Sequence, residues 1–211
     1  MKEKPLALEP DNYYHVYNRG NNSENLFYTT DNYQFFLRQF NEYLSPYLDV
    51  FAFCLLPNHF HFLVRVKTNN ERDSMVDLPG FKNLAGLEHP HTLEKTISQS
   101  FSNFFNSYSK AINKQQKRHG SLFEKPFKRK LVTDATYLAN LVFYIHTNPQ
   151  LHGIVADFRM YPWSSFDRIL KNTPTRLQKQ QVLQWFSSPD NYVAYHSRKA
   201  DIETIKELII E

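Results

Sequence analysis

The chain has 211 residues, of which 41% are hydrophobic and 16% aromatic, so it can bury a core and is too apolar for a disordered protein. Five glycines and eleven prolines leave no collagen-like or low-complexity bias, and a formal net charge of +4 is only mildly basic. Cys54 is the single cysteine, which rules out an internal disulfide and fits a reducing compartment.

The first residues, MKEKPLALEPDNYY, lack an apolar signal core, and no run of about 18 apolar residues suggests a membrane span. The expectation is a soluble, intracellular protein that makes no use of a membrane. Tyr13 to Asn18 has β-branched and aromatic character and ends at Arg19-Gly20, which predicts a strand and a turn. Thr30-Asp31 caps a predicted helix from Asn32 to Tyr47, with Tyr33, Phe36, Leu37, Phe40, Tyr43 and Leu44 at helical spacing. Leu48–Leu55 and Asn58–Val66 read as two strands, joined at Pro57 by a hairpin or by a bulged continuous strand. Lys67 to His91 is polar, holds Pro79, Gly80, Gly86 and Pro90, and reads as an irregular excursion from the fold.

Thr92 to Asn113 carries an apolar stripe (Leu93, Ile97, Phe101, Phe104, Phe105, Tyr108, Ile112) and is predicted to be helical. From Lys110 to Lys130, eight basic residues face Glu124 alone; this segment is +7, and the rest of the chain is −3. Such concentration favours a polyanionic partner, although a solvated surface is the commoner fate of a charge run. Leu122 to Val132 contains a short strand or hairpin, and Asp134 caps a helix from Ala135 to Asn148 that Pro149 ends. Tyr161 to Phe166 is a packed turn, and two short helices follow Lys171. The order βαββα plus a late helix predicts an α+β fold with helices on one face of an antiparallel sheet.

Alternation along a strand puts His59, His61, Leu63 and Arg65 on one face, and Phe60, Phe62, Val64 and Val66 on the other. The two imidazoles then lie about 7 Å apart along the strand and can converge on one divalent ion. By itself His-x-His also fits two hydrogen-bonded histidines. Tyr144 and Asn148, four apart, share a helical face. A tyrosine is a covalent nucleophile in some enzymes, yet Tyr137, Leu141 and Tyr144 equally make a packing stripe. No base for Tyr144 is evident, because His146 is two residues along the helix and points elsewhere.

Six stretches in order carry a resemblance: YHVYNRGNN, FCLLPNHFHFLV, FSNFFNSYSKAINKQQKRHGSLFE, FKRKLV, YLANLVFYIHTNP and YPWSSF. Together they resemble the single-tyrosine HUH transposases of insertion sequences, most closely the REP-associated tyrosine transposase branch. The resemblance implies a ferredoxin-like or RRM-like HUH endonuclease core over residues 1–170, with an insertion at about 67–91 and a C-terminal helical extension over 171–211. It implies that His59 and His61 bind magnesium or manganese, that Asn148 supplies a third ligand, and that Tyr144 is the nucleophile. It implies cleavage and rejoining of single-stranded DNA at hairpin-forming sites through a 5′-phosphotyrosine, in a bacterial cytoplasm and at the nucleoid. Arg19, Lys125, Lys128, Arg129 and Lys130 are then expected to contact DNA. A non-catalytic hairpin DNA- or RNA-binding module and a hydrolytic nuclease are the alternatives, and monomer and homodimer both stay open.

Overall fold

A computed structural model describes residues 6–76 and 90–198. Four strands, β1 (Tyr13–Arg19), β2 (Leu48–Leu56), β3 (His59–Val66) and β4 (Lys128–Val132), form one antiparallel sheet in the order β2-β3-β1-β4. Two βαβ units interleave: α1 (Thr30–Leu44) joins β1 to β2, and α3 (Pro90–Gln115) lies between β3 and β4. This is the predicted α+β, ferredoxin-like arrangement. Pro57 and Asn58 alone connect β2 to β3, so the hairpin reading holds over the continuous strand.

Helices cover both faces of the sheet, not the single face expected. Phe60, Phe62 and Val64 of β3, with Tyr14 and Val16 of β1, pack against Phe36, Phe40 and Leu44 of α1 and Ile97, Phe101, Phe104 and Tyr108 of α3. On the opposite face, Leu63, Cys54 and Leu56 pack beneath Leu141, Val142 and Ile145 of α4 (Ala135–Leu151). The chain order alone did not reveal that α4 crosses to this second face. A register shift between Val50 and Ala52 turns both Phe51 and Ala52 towards it, while Phe53 and Leu55 keep to the first.

Three local devices hold the frame around the β2–β3 turn. Asn32 accepts backbone hydrogen bonds from Tyr28 (3.0 Å) and Thr29 (3.2 Å), which starts α1 two residues before the predicted Asn32. Gly20 donates to the carbonyl of Asn58 (2.8 Å), and a Cβ at position 20 would lie 2.1 Å from the carbonyl oxygen of Glu24, so the close approach requires glycine. The Pro57 carbonyl accepts from Leu26 (2.7 Å) and Phe27 (3.0 Å), fixing the turn from its other side.

Two other expectations change. The excursion after β3 begins as a helix, α2 (Asn69–Val76), secured where Glu71 meets both Arg65 (2.6 Å) and the Thr68 amide (2.7 Å). Its later part, 77–89, lies outside the described residues. Helix α4 runs past Pro149 to Leu151 and closes with the Ile154 amide on the Pro149 carbonyl (2.8 Å) and the Gly153 amide on Gln150 (3.0 Å). Gly153 adopts φ +66° in this cap, a left-handed turn that follows the end of the helix at Leu151.

The remaining chain caps α4. Trp163 accepts from the Leu55 amide (2.9 Å) and the Ser165 amide donates to Phe53 (2.9 Å), so the YPWSSF stretch covers the edge of β2. Helices α5 (Phe166–Leu170), α6 (Lys179–Trp185) and α7 (Pro189–His196) follow. Tyr192 of α7 is fully buried against the second core, and Tyr195 hydrogen bonds to Asn140 of α4. The last part of the expected C-terminal extension, 199–211, lies outside the described residues. Among the described residues, no helix is long and apolar enough to cross a membrane.

Candidate active site

The second face of the sheet opens, at the end nearest the β2–β3 turn, into a cleft of about 530 Å³. His59 and His61 of β3, Tyr17 and Arg19 of β1, Lys128 of β4, Tyr144 and Asn148 of α4, and His152 just past the end of α4 line it. The strand registers explain the company: Arg19 pairs with His59, and Tyr17 pairs with both His61 and Lys128. Positions 144 and 148 of α4 and 152 just beyond it recur every four residues, and the His152 amide still bonds to the Asn148 carbonyl (2.9 Å), so the three descend one side of the helix. His61, Tyr144 and Asn148 are the predicted residues that meet in this space from distant parts of the chain, together with the half-buried His59.

The Tyr144 ring stands edge-on to His61, with centroids 5.6 Å apart, and edge-on to His15 at 6.1 Å. His59 Nδ1 lies 2.7 Å from the Asn58 side-chain oxygen, which holds a proton there and leaves His59 Nε2 as the donor atom. His61 Nδ1 lies 3.0 Å from His15 Nε2, whereas His61 Nε2 is buried without a hydrogen-bond partner. Asn148 donates from Nδ2 to the Tyr144 carbonyl (2.8 Å), and its Oδ1 is likewise buried and unpaired. An imidazole nitrogen and an amide oxygen, both desolvated and unsatisfied, thus border one cleft.

Those two orphaned acceptors, with His59 Nε2, fit a divalent cation bound by nitrogen and oxygen. Among the described residues no three His, Cys, Asp or Glu side chains cluster as a metal site. A cation here would therefore rest on His59, His61 and the Asn148 amide, with further positions open to phosphate or water oxygens. Burial lowers the His59 pKa to about 3, the nearby His152 and Arg19 adding to the effect, and burial first, then His15, His59 and His152, holds His61 well below its ordinary value. Both imidazoles are therefore neutral near pH 7, the form that donates a lone pair.

The basic candidates divide by strand face. Arg19 and Lys128 line the cleft; Arg19 reaches Glu124 at 3.6 Å, and the Lys128 ammonium lies 5.9 Å from the Tyr17 ring centre. Lys130 is on the same face, over the Tyr137 ring at 5.4 Å. Arg129 alternates to the opposite face and covers Phe127 at 4.9 Å. Lys125 borders a neighbouring groove between α3 and the 120–127 loop, which shares Asn18 and Glu124 with the cleft.

Two histidines entered the site unannounced by the sequence. His15 is fully buried beside His61, and His152 sits edge-on to His59 with centroids 4.8 Å apart. His152 continues the spacing of Tyr144 and Asn148, a signal hidden by ending the helix at Pro149. His15 could be placed only once β1 was paired with β3. His146 does face away from Tyr144: its ring joins Ser165 Oγ (2.7 Å) and His196 Nε2 (3.0 Å) inside the second core.

No protein-family model matches the chain. A curated Haemophilus influenzae protein assigned as a REP-associated tyrosine transposase is 30% identical over 141 residues, 62% of this chain and 70% of that protein. Among solved structures, a REP-associated tyrosine transposase bound to a REP hairpin superposes with a TM-score of 0.51 and 15% identity, covering 82% of this chain and 88% of the other; that likeness carries the fold. The class is therefore the tyrosine transposase, here built on a ferredoxin-like antiparallel sheet. Within that class the chain belongs to the REP-associated tyrosine transposases, as its relationship to the Haemophilus influenzae protein shows.

Proposed function

We propose that this chain binds hairpin-forming DNA and cleaves and rejoins the adjoining single strand through Tyr144, with magnesium or manganese held by His59, His61 and Asn148. The observation that carries the reading is the convergence in one cleft of the Tyr144 ring, 5.6 Å from His61, with the unpaired atoms His61 Nε2 and Asn148 Oδ1. A solved relative in complex with a REP hairpin supports hairpin DNA as the partner.

In this reading the Tyr144 oxygen attacks the scissile phosphorus and the 3′-oxygen of the preceding nucleotide leaves, taking up a proton as the phenol loses one. The products are a 5′-phosphotyrosine and a free 3′-hydroxyl. Attack by a 3′-hydroxyl on the phosphotyrosine reverses the step and joins strands without an external energy source. A bound divalent ion supplies polarisation of a phosphoryl oxygen and offsets its growing charge. The protein's own part is positioning: α4 fixes the tyrosine edge-on to His61, and Arg19 and Lys128 offer cations to the flanking phosphates.

The test uses labelled single-stranded hairpin DNA with manganese, followed by denaturing electrophoresis. The expected result is a protein–DNA product that survives denaturation and disappears in Tyr144→Phe. Cleavage with free 5′-phosphate ends that Tyr144→Phe retains would identify a hydrolytic nuclease instead, and binding without cleavage would identify a recognition module.

A further inference from the structure

His15 lies on β1 opposite Leu63, between Tyr13 and Tyr17 on the second face, and is completely buried. Its ring stacks beside His61, with centroids 5.1 Å apart and planes inclined by 26°, and the Tyr17 ring closes the same space at 4.9 Å. The single contact between the imidazoles joins His15 Nε2 and His61 Nδ1 at 3.0 Å. The outer nitrogens, His15 Nδ1 and His61 Nε2, have no hydrogen-bond partner.

A neutral imidazole carries one N–H, and one proton must occupy the shared hydrogen bond. Two arrangements satisfy this. If His15 Nε2 donates, His61 bears its own proton on Nε2 and turns an N–H toward the cleft, where it cannot bind a cation. If His61 Nδ1 donates, His15 accepts, and His61 Nε2 carries a bare lone pair at the cleft that Asn148 also lines. An apolar residue at position 15 would remove the acceptor and leave a buried Nδ1–H unpaired whenever His61 ligates a metal.

Resting on the metal site proposed above, we infer that His15 is the positioning residue that holds His61 in its metal-binding tautomer, by accepting the proton of His61 Nδ1. It never touches the cation or the DNA. His59 has its counterpart in Asn58, whose side-chain oxygen lies 2.7 Å from His59 Nδ1. Each imidazole of the pair thus has its own acceptor behind it, the arrangement that orients ligating histidines generally.

The experiment is calorimetric titration of the full chain with Mn²⁺, comparing the natural protein with H15F, H15Q, H59A and H61A, each checked for folding by circular dichroism. H15F is expected to bind roughly 10- to 100-fold more weakly, the effect of losing an outer-shell acceptor. H15Q, whose amide oxygen accepts the same hydrogen bond, is expected to stay within a few-fold of the natural protein. Nitrogen-15 NMR of the Mg²⁺-loaded natural protein is expected to show His61 protonated on Nδ1 and His15 on Nδ1, a readout that holds even if H15F does not fold. Natural affinity in H15F, or a His61 proton on Nε2 in the loaded protein, would overturn the inference. Binding lost in H59A and H61A but kept in H15F sinks this role alone, whereas binding indifferent to both His59 and His61 sinks the metal site as well.

Discussion

Asn148 spends one side of its amide on the Tyr144 carbonyl and leaves the other, Oδ1, buried and unpaired. An unpaired buried acceptor costs on the order of 1–3 kcal/mol, and a cation in the cleft would offset that cost. Asn148→Ala should therefore lower manganese affinity at least roughly tenfold, the lower end of what even an outer-shell change costs, with the adduct recovering at higher manganese. Undiminished affinity would remove Asn148 from the ligand set. Burial lowers the pKa of His15 to about 3, helped by Lys130, and that of His196 to about 4. Folding keeps both neutral, while the unfolded chain takes up protons below about pH 6.5. Stability is then full above that value and declines as pH falls toward 4, by on the order of 1–3 kcal/mol per histidine. Urea unfolding at pH 7 and pH 4.5 checks this; equal free energies at the two would contradict it.

At the scale of elements, the site depends on how α4 and the β2–β3 turn are held. Ser165 accepts from the Phe53 amide (2.9 Å) and pairs with His146 (2.7 Å), linking the edge of β2 to the back of α4. Ser165→Ala strands a buried amide and should cost on the order of 1–3 kcal/mol, read as a lower thermal midpoint. Gly20→Ala should cost a similar 1–3 kcal/mol through its clash with Glu24 and should also disturb the Pro57-Asn58 turn before His59. A thermal midpoint unchanged in either variant would deny that role. Period-two alternation placed His59 and His61 together, and the four-residue spacing placed Asn148 beneath Tyr144, because both patterns are local. His15 stayed hidden because its meeting with His61 is made by strand pairing across 46 residues. The length of α4 was also hidden: Pro149 forbids one hydrogen bond but not the final turn, which Gly153 closes.

Across the whole molecule, the basic segment does not act as one surface. Strand alternation sends Lys128 and Lys130 to the face that carries Tyr144, and Arg129 to the other. Hairpin affinity should fall steeply with salt, and Lys128→Ala should reduce the slope of log affinity against log salt by about one. An unchanged slope would place the phosphates elsewhere. The two-sided sheet also gives the C-terminal extension a structural part, since α7 packs behind the helix that bears Tyr144. All of this converges on one chemical claim, that Tyr144 becomes covalently joined to DNA. The most direct measurement is mass spectrometry of the manganese-dependent adduct after nuclease and protease digestion. The account predicts a nucleotide joined through a 5′-phosphate to the peptide containing Tyr144, and to no other tyrosine. A nucleotide mapped to a different residue, or cleaved DNA with no modified peptide, would contradict it.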